Sequence, residues 1–194
     1  MEAPAYMRGL IDFLRNLVSV AGCVVAFSLG WATMAFSAQP VPRVSVVVDL
    51  LAAFDPSSVK DSLSCQVQRP SQCGGVAQDG LYEHPLVSDR PARVDYRVRL
   101  PEVKKGEVLL LAFDIGIVDG ARFDRGEDGV RFVVELAGAR GFAQEWRTCR
   151  WQACAVDLTA CAGREVQLGL LTEAMRNTSH DWSVWGSPRV LLFQ

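Results

Sequence analysis

Asp181-Trp-Ser-Val-Trp-Gly-Ser-Pro-Arg189 is the stretch on which the fold turns. It reads as the entry to a final strand that continues through Arg189–Phe193. In that reading Trp185 packs between two sheets and Asp181 bonds a backbone amide at the turn. Two earlier segments fit beside it as a central pair, Asp114-Ile-Gly-Ile-Val-Asp-Gly-Ala121 and Asp128-Gly-Val-Arg-Phe132.

Outward from these segments the apolar period is two, the spacing at which side chains share one face of a strand. Val94, Tyr96, Val98 and Leu100 alternate with Arg93, Asp95, Arg97 and Arg99, giving one apolar and one charged face. Val130, Phe132, Val134 and Leu136 alternate in the same way, as do Val166, Leu168 and Leu170. Glu107 to Ile117 is denser and reads as a central strand. Turn residues separate the runs at Lys104-Lys-Gly106, Asp119-Gly120, Asp128-Gly129, Gly138 to Gly141 and Ala162-Gly163. Short strands with regular turn signals predict an all-β, antiparallel sandwich or jelly roll. Val44 to Phe54 fits a strand or a short helix, and residues 55–80, rich in Ser, Gln, Pro and Gly, read as an extended loop.

The order of these elements resembles the galactose-binding-like β-sandwich domains, which include the jelly-roll carbohydrate-binding modules of bacterial glycosidases. Leu81-Tyr-Glu-His-Pro85 is similar to the family's entry into its first sandwich strand, and Tyr96-Arg-Val-Arg-Leu-Pro101 to a strand ended by proline. Val156-Asp-Leu-Thr-Ala-Cys-Ala-Gly163 resembles a turn of the family, with Cys161 where an aromatic is usual. Asp181-Trp182 to Arg189 resembles its closing motif. The resemblance runs from residue 81 to 193. It implies the fold, and it makes sugar binding an expectation.

Trp182 and Trp185 are candidate stacking surfaces for a sugar ring, with Asp181 and His84 beside them. Trp146 and Trp151 sit beside Cys149 and Cys154 on a loop or edge hairpin and form a second candidate aromatic surface. The acidic stretch from Asp119 through Asp124 and Glu127 to Asp128 offers oxygen ligands of the kind calcium takes, without EF-hand spacing. A solvated turn is the plainer reading of it, and no other cofactor is expected.

The chain has 194 residues, 49% of them apolar, and a formal charge of −2. That charge argues against a nucleic-acid partner, which needs clustered Lys and Arg. From Asn16 to Pro42 no side chain is charged, and Leu17 to Ala38 is almost continuously apolar. As a helix it spans roughly 33 Å, enough to cross a hydrocarbon core. Arg8 and Arg15 before it predict a cytoplasmic start. A cleaved signal peptide, cut near Ala35-Phe-Ser37, is the competing reading. The expected domains are residues 1–38 as a transmembrane anchor, 39–43 as a linker and 44–194 as a periplasmic sandwich.

Six cysteines are present. Cys23 falls in the apolar run, and the other five follow it into the compartment where disulfides persist. Local bridges Cys65–Cys73 and Cys149–Cys154 are expected, leaving Cys161 unpaired. Without a CxxC pair, and with two His in the chain, metal ligation finds little support.

No Gly-x-Ser-x-Gly elbow and no phosphate loop is present, so an enzyme is not expected. Two functions follow from the reading. The first is a non-catalytic single-pass subunit of a larger bacterial inner-membrane complex, photosynthetic or respiratory, with the bilayer and other subunits as partners. The alternative is a membrane-anchored carbohydrate-binding module.

Overall fold

The structure is a computed structural model that describes residues 43–123 and 129–194. The expected anchor, linker start and signal-cleavage site lie outside the described residues. Among the described residues no helix is long and apolar enough to cross a membrane.

The unit Arg43–Gln194 is built from antiparallel strands in two sheets. In chain order they are β1 (Val44–Asp49), β2 (Val59–Lys60), β3 (Ser62–Cys73), β4 (Val76–Pro85), β5 (Ala92–Arg99) and β6 (Val108–Ile117). Then follow β7 (Val130–Leu136), β8 (Ala139–Trp146), β9 (Gln152–Asp157), β10 (Glu165–Ala174) and β11 (Ser183–Phe193). The first sheet runs β3-β4-β11-β6-β9 with β1 also on β11, and the second runs β2-β5-β10-β7-β8. This is the all-β antiparallel sandwich that the alternation predicts.

The closing motif has a specific task. Ser183–Gly186 pairs with β4, whereas Arg189–Phe193 pairs with β1, and the register on β6 slips between Gly186 and Arg189. Ser187 sits at φ 41° and Pro188 offers no N–H, so the ladder breaks there and the strand's edge passes from β4 to β1. The Pro188 carbonyl then accepts from Leu50 N at 3.0 Å, just where β1 ends. This resolves the ambiguous segment Val44 to Phe54. It is a strand as far as Asp49 and then turns, because the Asp49 carboxylate accepts from Leu51 N and Ala52 N.

The core lies between the sheets. Trp185 is wholly buried, with its ring 4.9 Å from Phe132 and 5.2 Å from Phe113 in tilted and edge-on arrangements. Val94, Tyr96, Val98 and Leu100 turn inward from β5, and Leu168 and Leu170 from β10. Outside the second sheet, Gly169 leaves room for the Arg93 guanidinium, which bonds Asp95 at 2.6 Å and Glu135 at 2.5 Å.

Two expectations need correction. Residues 55–80 are largely strand: β2, β3 and the start of β4 occupy them. β3 is exposed along much of its length, and its apolar alternation, Leu63, Cys65 and Val67 against Ser64, Gln66 and Gln68, is short and sits among Ser, Gln, Pro and Gly. The expected disulfides are also absent, and all five cysteines among the described residues are free. Cys65 and Cys73 lie on one strand, paired with Glu83 and Val76 respectively. At about 3.3 Å per residue their separation is several times what a disulfide spans. Cys154 sits in β9 opposite Phe113, with its thiol toward Gln144, while the Cys149 thiol donates to the Val118 carbonyl at 3.5 Å. Cys161, partly buried, packs against the core.

Candidate functional site

One end of the sandwich gathers four connections. They are residues 118–123 after β6, 147–151 between β8 and β9, 175–182 between β10 and β11, and the Gly74-Gly75 turn of the β3–β4 hairpin. They bond to one another directly. Val118 N donates to the Trp182 carbonyl at 2.9 Å, and Asp119 N to the Gln72 carbonyl at 2.9 Å. The Arg147 guanidinium reaches the Met175 sulfur at 3.7 Å. The Asp119 carboxylate accepts from Gly74 N at 2.6 Å and Gly75 N at 2.9 Å, fixing the hairpin turn through two charge-assisted bonds.

Asp119 was the first residue of the candidate calcium stretch, and both its oxygens are engaged in this way. Asp124, Glu127 and Asp128 lie outside the described residues. Among the described residues no cluster of acidic, His and Cys side chains has the makings of a metal site.

The tryptophans separate into distinct roles. Trp185 is sealed in the core and presents no face to solvent. Trp151 is part-exposed, but its ring covers Gly116 and Gly186 on the outer face of the first sheet, and Nε1 donates to the Val76 carbonyl at 2.9 Å. Beside it around Gly186 lie the buried Asp114 and the part-exposed Gln78, bonded at 3.1 Å. Burial pushes the Asp114 carboxyl up, against the opposing effect of the Gln78 bond. Trp146 packs partly on the core, with Nε1 donating to the Arg150 carbonyl at 2.9 Å.

Trp182 remains as the platform at this end. Its ring is part-exposed and lies 5.1 Å from the His180 imidazole at an interplanar angle of 57°. A Cβ on Gly120 would stand 3.6 Å from the ring. That is ordinary contact distance, so the turn at Gly120 lies against the indole, which also packs partly on the core. Asp181 is buried beneath the loop, and His84 Nε2 donates to the Thr178 carbonyl at 2.8 Å, holding the same loop from β4. Of the candidate residues, Trp182, Asp181 and His84 are thus brought together on the 175–182 loop or its support. Trp146 ends β8, and Trp151 closes the neighbouring 147–151 connection.

Sequence reading missed Glu83, which holds this loop from inside. The signal was available: Leu81, Glu83 and Pro85 alternate on one face of a strand, and a carboxylate in an inward register needs partners.

Two antiparallel sheets packed around Trp185, with loops gathered at one end, define the fold class: an antiparallel β-sandwich of the jelly-roll kind. No protein-family model matches the chain, and no curated protein matches it. Solved structures share the fold. The tandem CBM51 modules of a family 98 glycoside hydrolase from Streptococcus pneumoniae match 78% of this chain and 48% of that one, at 15% identity and a TM-score of 0.53. A CBM51 from Clostridium perfringens in complex with methyl-galactose matches 76% of this chain and 99% of that one, at 14% identity and a TM-score of 0.51. A second Clostridium perfringens structure, a CBM51 with GlcNAc and an adjoining domain, matches 73% and 30%, at 14% identity and a TM-score of 0.51. The chain therefore spans about half or less of the multi-domain structures and nearly all of the single module.

Proposed function

We propose that this chain is a non-catalytic carbohydrate-binding module that takes a sugar at the loop end of its sandwich. The observation that carries this reading is the part-exposed Trp182 at the loop end, with the His180 imidazole 5.1 Å from its ring. An aromatic face offers a flat apolar surface to the C–H groups of a pyranose, and neighbouring polar groups bond its hydroxyls. The likeness to CBM51 structures supports the reading at the level of fold.

Titration of the full-length chain with methyl-galactose, N-acetylglucosamine and a polysaccharide panel, followed by tryptophan fluorescence, tests it. Saturable binding is expected, weakened by roughly two- to tenfold in Trp182→Ala, because a stacked ring contributes about 0.5–1.5 kcal/mol. Unchanged affinity in Trp182→Ala would move the site elsewhere, and no binding to any sugar would refute the reading.

A second reading is favoured by the uncharged run from Asn16 to Pro42. It makes the protein a single-pass subunit whose sandwich docks within a bacterial inner-membrane assembly. Gentle detergent extraction and native electrophoresis decide between the two. Migration in a stoichiometric complex, without sugar affinity, supports the subunit.

A further inference from the structure

Glu83 lies between the sheets with no exposed surface. Its Oε2 accepts from Thr172 Oγ1 at 2.7 Å and from Trp185 Nε1 at 3.2 Å. Its Oε1 has no hydrogen-bond partner among the described residues, and neither has the buried Tyr96 hydroxyl. The groups facing the carboxyl come from every neighbouring strand: Cys65 from β3, Tyr96 from β5, Thr172 from β10, and Ser183 and Trp185 from β11. Of these, Cys65 and Tyr96 titrate, both well above neutrality because of burial, and none is cationic. His84, next in sequence, points to the opposite face and engages Thr178.

The position of these partners in the chain matters as much as their chemistry. Thr172 stands just before the 175–182 loop and Ser183 just after it. The Thr172 hydroxyl donates to the Glu83 carboxyl, the Ser183 hydroxyl donates to the Glu83 carbonyl, and the two hydroxyl oxygens lie 3.1 Å apart. His84 grips the middle of the loop at Thr178. Both ends and the centre of the segment carrying His180 and Trp182 are therefore tied to Glu83 and its neighbour.

We infer that Glu83 is a pH-sensitive switch built into the core, holding the β10–β11 loop in place while its carboxyl is neutral and loosening it when the carboxyl ionises. As a neutral acid, Glu83 carries its proton on Oε1, since Oε2 already accepts two bonds. As an anion it has no cation among the described residues to compensate it, and Oε1 is then a bare buried charge, a far more costly state than a bare hydroxyl. Relief requires water to enter between β4, β10 and β11, where the loop is anchored.

Burial raises the Glu83 carboxyl from 4.5 to about 7, opposed by the Thr172 and Trp185 bonds. The sign follows from linkage. A raised acid favours the folded state in full below about 4.5, and this advantage falls away up to about 7 and is gone above it. The gap corresponds to a roughly 300-fold rise in the unfolding constant from this one group.

The test compares the full-length chain with Glu83→Gln, which keeps the acceptor and cannot ionise. Urea unfolding at pH 5 and pH 8 should show the wild-type unfolding constant rising about 100-fold more than that of the variant. Parallel profiles overturn the proposal. Should the variant not fold, ¹³C-carboxyl NMR of the wild type stands alone: a glutamate resonance titrating near neutrality supports the switch, and titration of every carboxyl below pH 5 refutes it. The Trp182 indole signal should shift with the same midpoint, and an indole that ignores the Glu83 titration overturns the link to the loop. Any effect on sugar affinity rests on the proposed binding function. None of these measurements uses a sugar, so failure of that reading leaves the switch decidable.

Discussion

Single glycines hold the outer face of the first sheet close to its covering. A Cβ on Gly116 would stand 2.8 Å from both the Cys73 sulfur and the Trp151 ring, and neither neighbour is free to retreat. Cys73 is buried and Trp151 is pinned through its indole N–H to Val76. Gly116→Ala should therefore destabilise the fold by about 2 kcal/mol through overpacking. Gly138, at φ 82° with nothing within 4 Å of a Cβ, supplies the contrast. Gly138→Ala should cost only the backbone strain of a left-handed residue, about 1 kcal/mol. Denaturant midpoints of the two variants check both values, and equal losses would show that the Trp151 covering is loose. The same scale explains why Trp185 and Trp182 were hard to separate by sequence. They are three residues apart in one motif, yet the strand's alternation sends Trp185 inward while Trp182 ends the loop.

At the scale of elements, the β3–β4 hairpin is the piece that the sequence concealed. Its turn is held by side chains far away in sequence, chiefly the Asp119 carboxylate on two consecutive amides. Asp119→Ala should cost about 2 kcal/mol and leave Gly74 and Gly75 with fast amide exchange. Hydrogen exchange by NMR measures this directly, and protection equal to wild type would show that the turn stands without Asp119. β5, β7 and β10 were legible because each has one face in the core and one toward water. β3 and β8 were not, because these edge strands are largely exposed and offer only brief inward alternations, at Cys65 and Val67 and at Phe142 and Trp146. The turn expected across Gly138 to Gly141 shortens for this reason, since β8 already begins at Ala139.

For the whole molecule, the hydrophobic core, the ladders and side-chain bonds such as those of Asp119 and Arg93 stabilise the described sandwich, with no disulfide among its residues. Mass mapping of unreduced, denatured protein after alkylation should find Cys65, Cys73, Cys149, Cys154 and Cys161 all modified. A peptide linked between Cys65 and Cys73 would contradict the strand that separates them. The sequence by itself determined the fold class and much of the core. Period-two burial on β5, β7 and β10 requires two packed sheets, and Trp185 and Phe132 fall in register between them. It also determined that the closing motif matters. Only the tertiary structure decided how that motif works, because the break at Gly186-Ser187-Pro188 has meaning only once β4 and β1 share an edge of β11. It likewise decided which tryptophan is open and which cysteines can meet. Most of all it decided the state of Glu83, whose partners lie as far as 102 residues away. Local pattern reports which face a side chain takes, whereas desolvation and hydrogen bonding depend on what distant strands bring to that face.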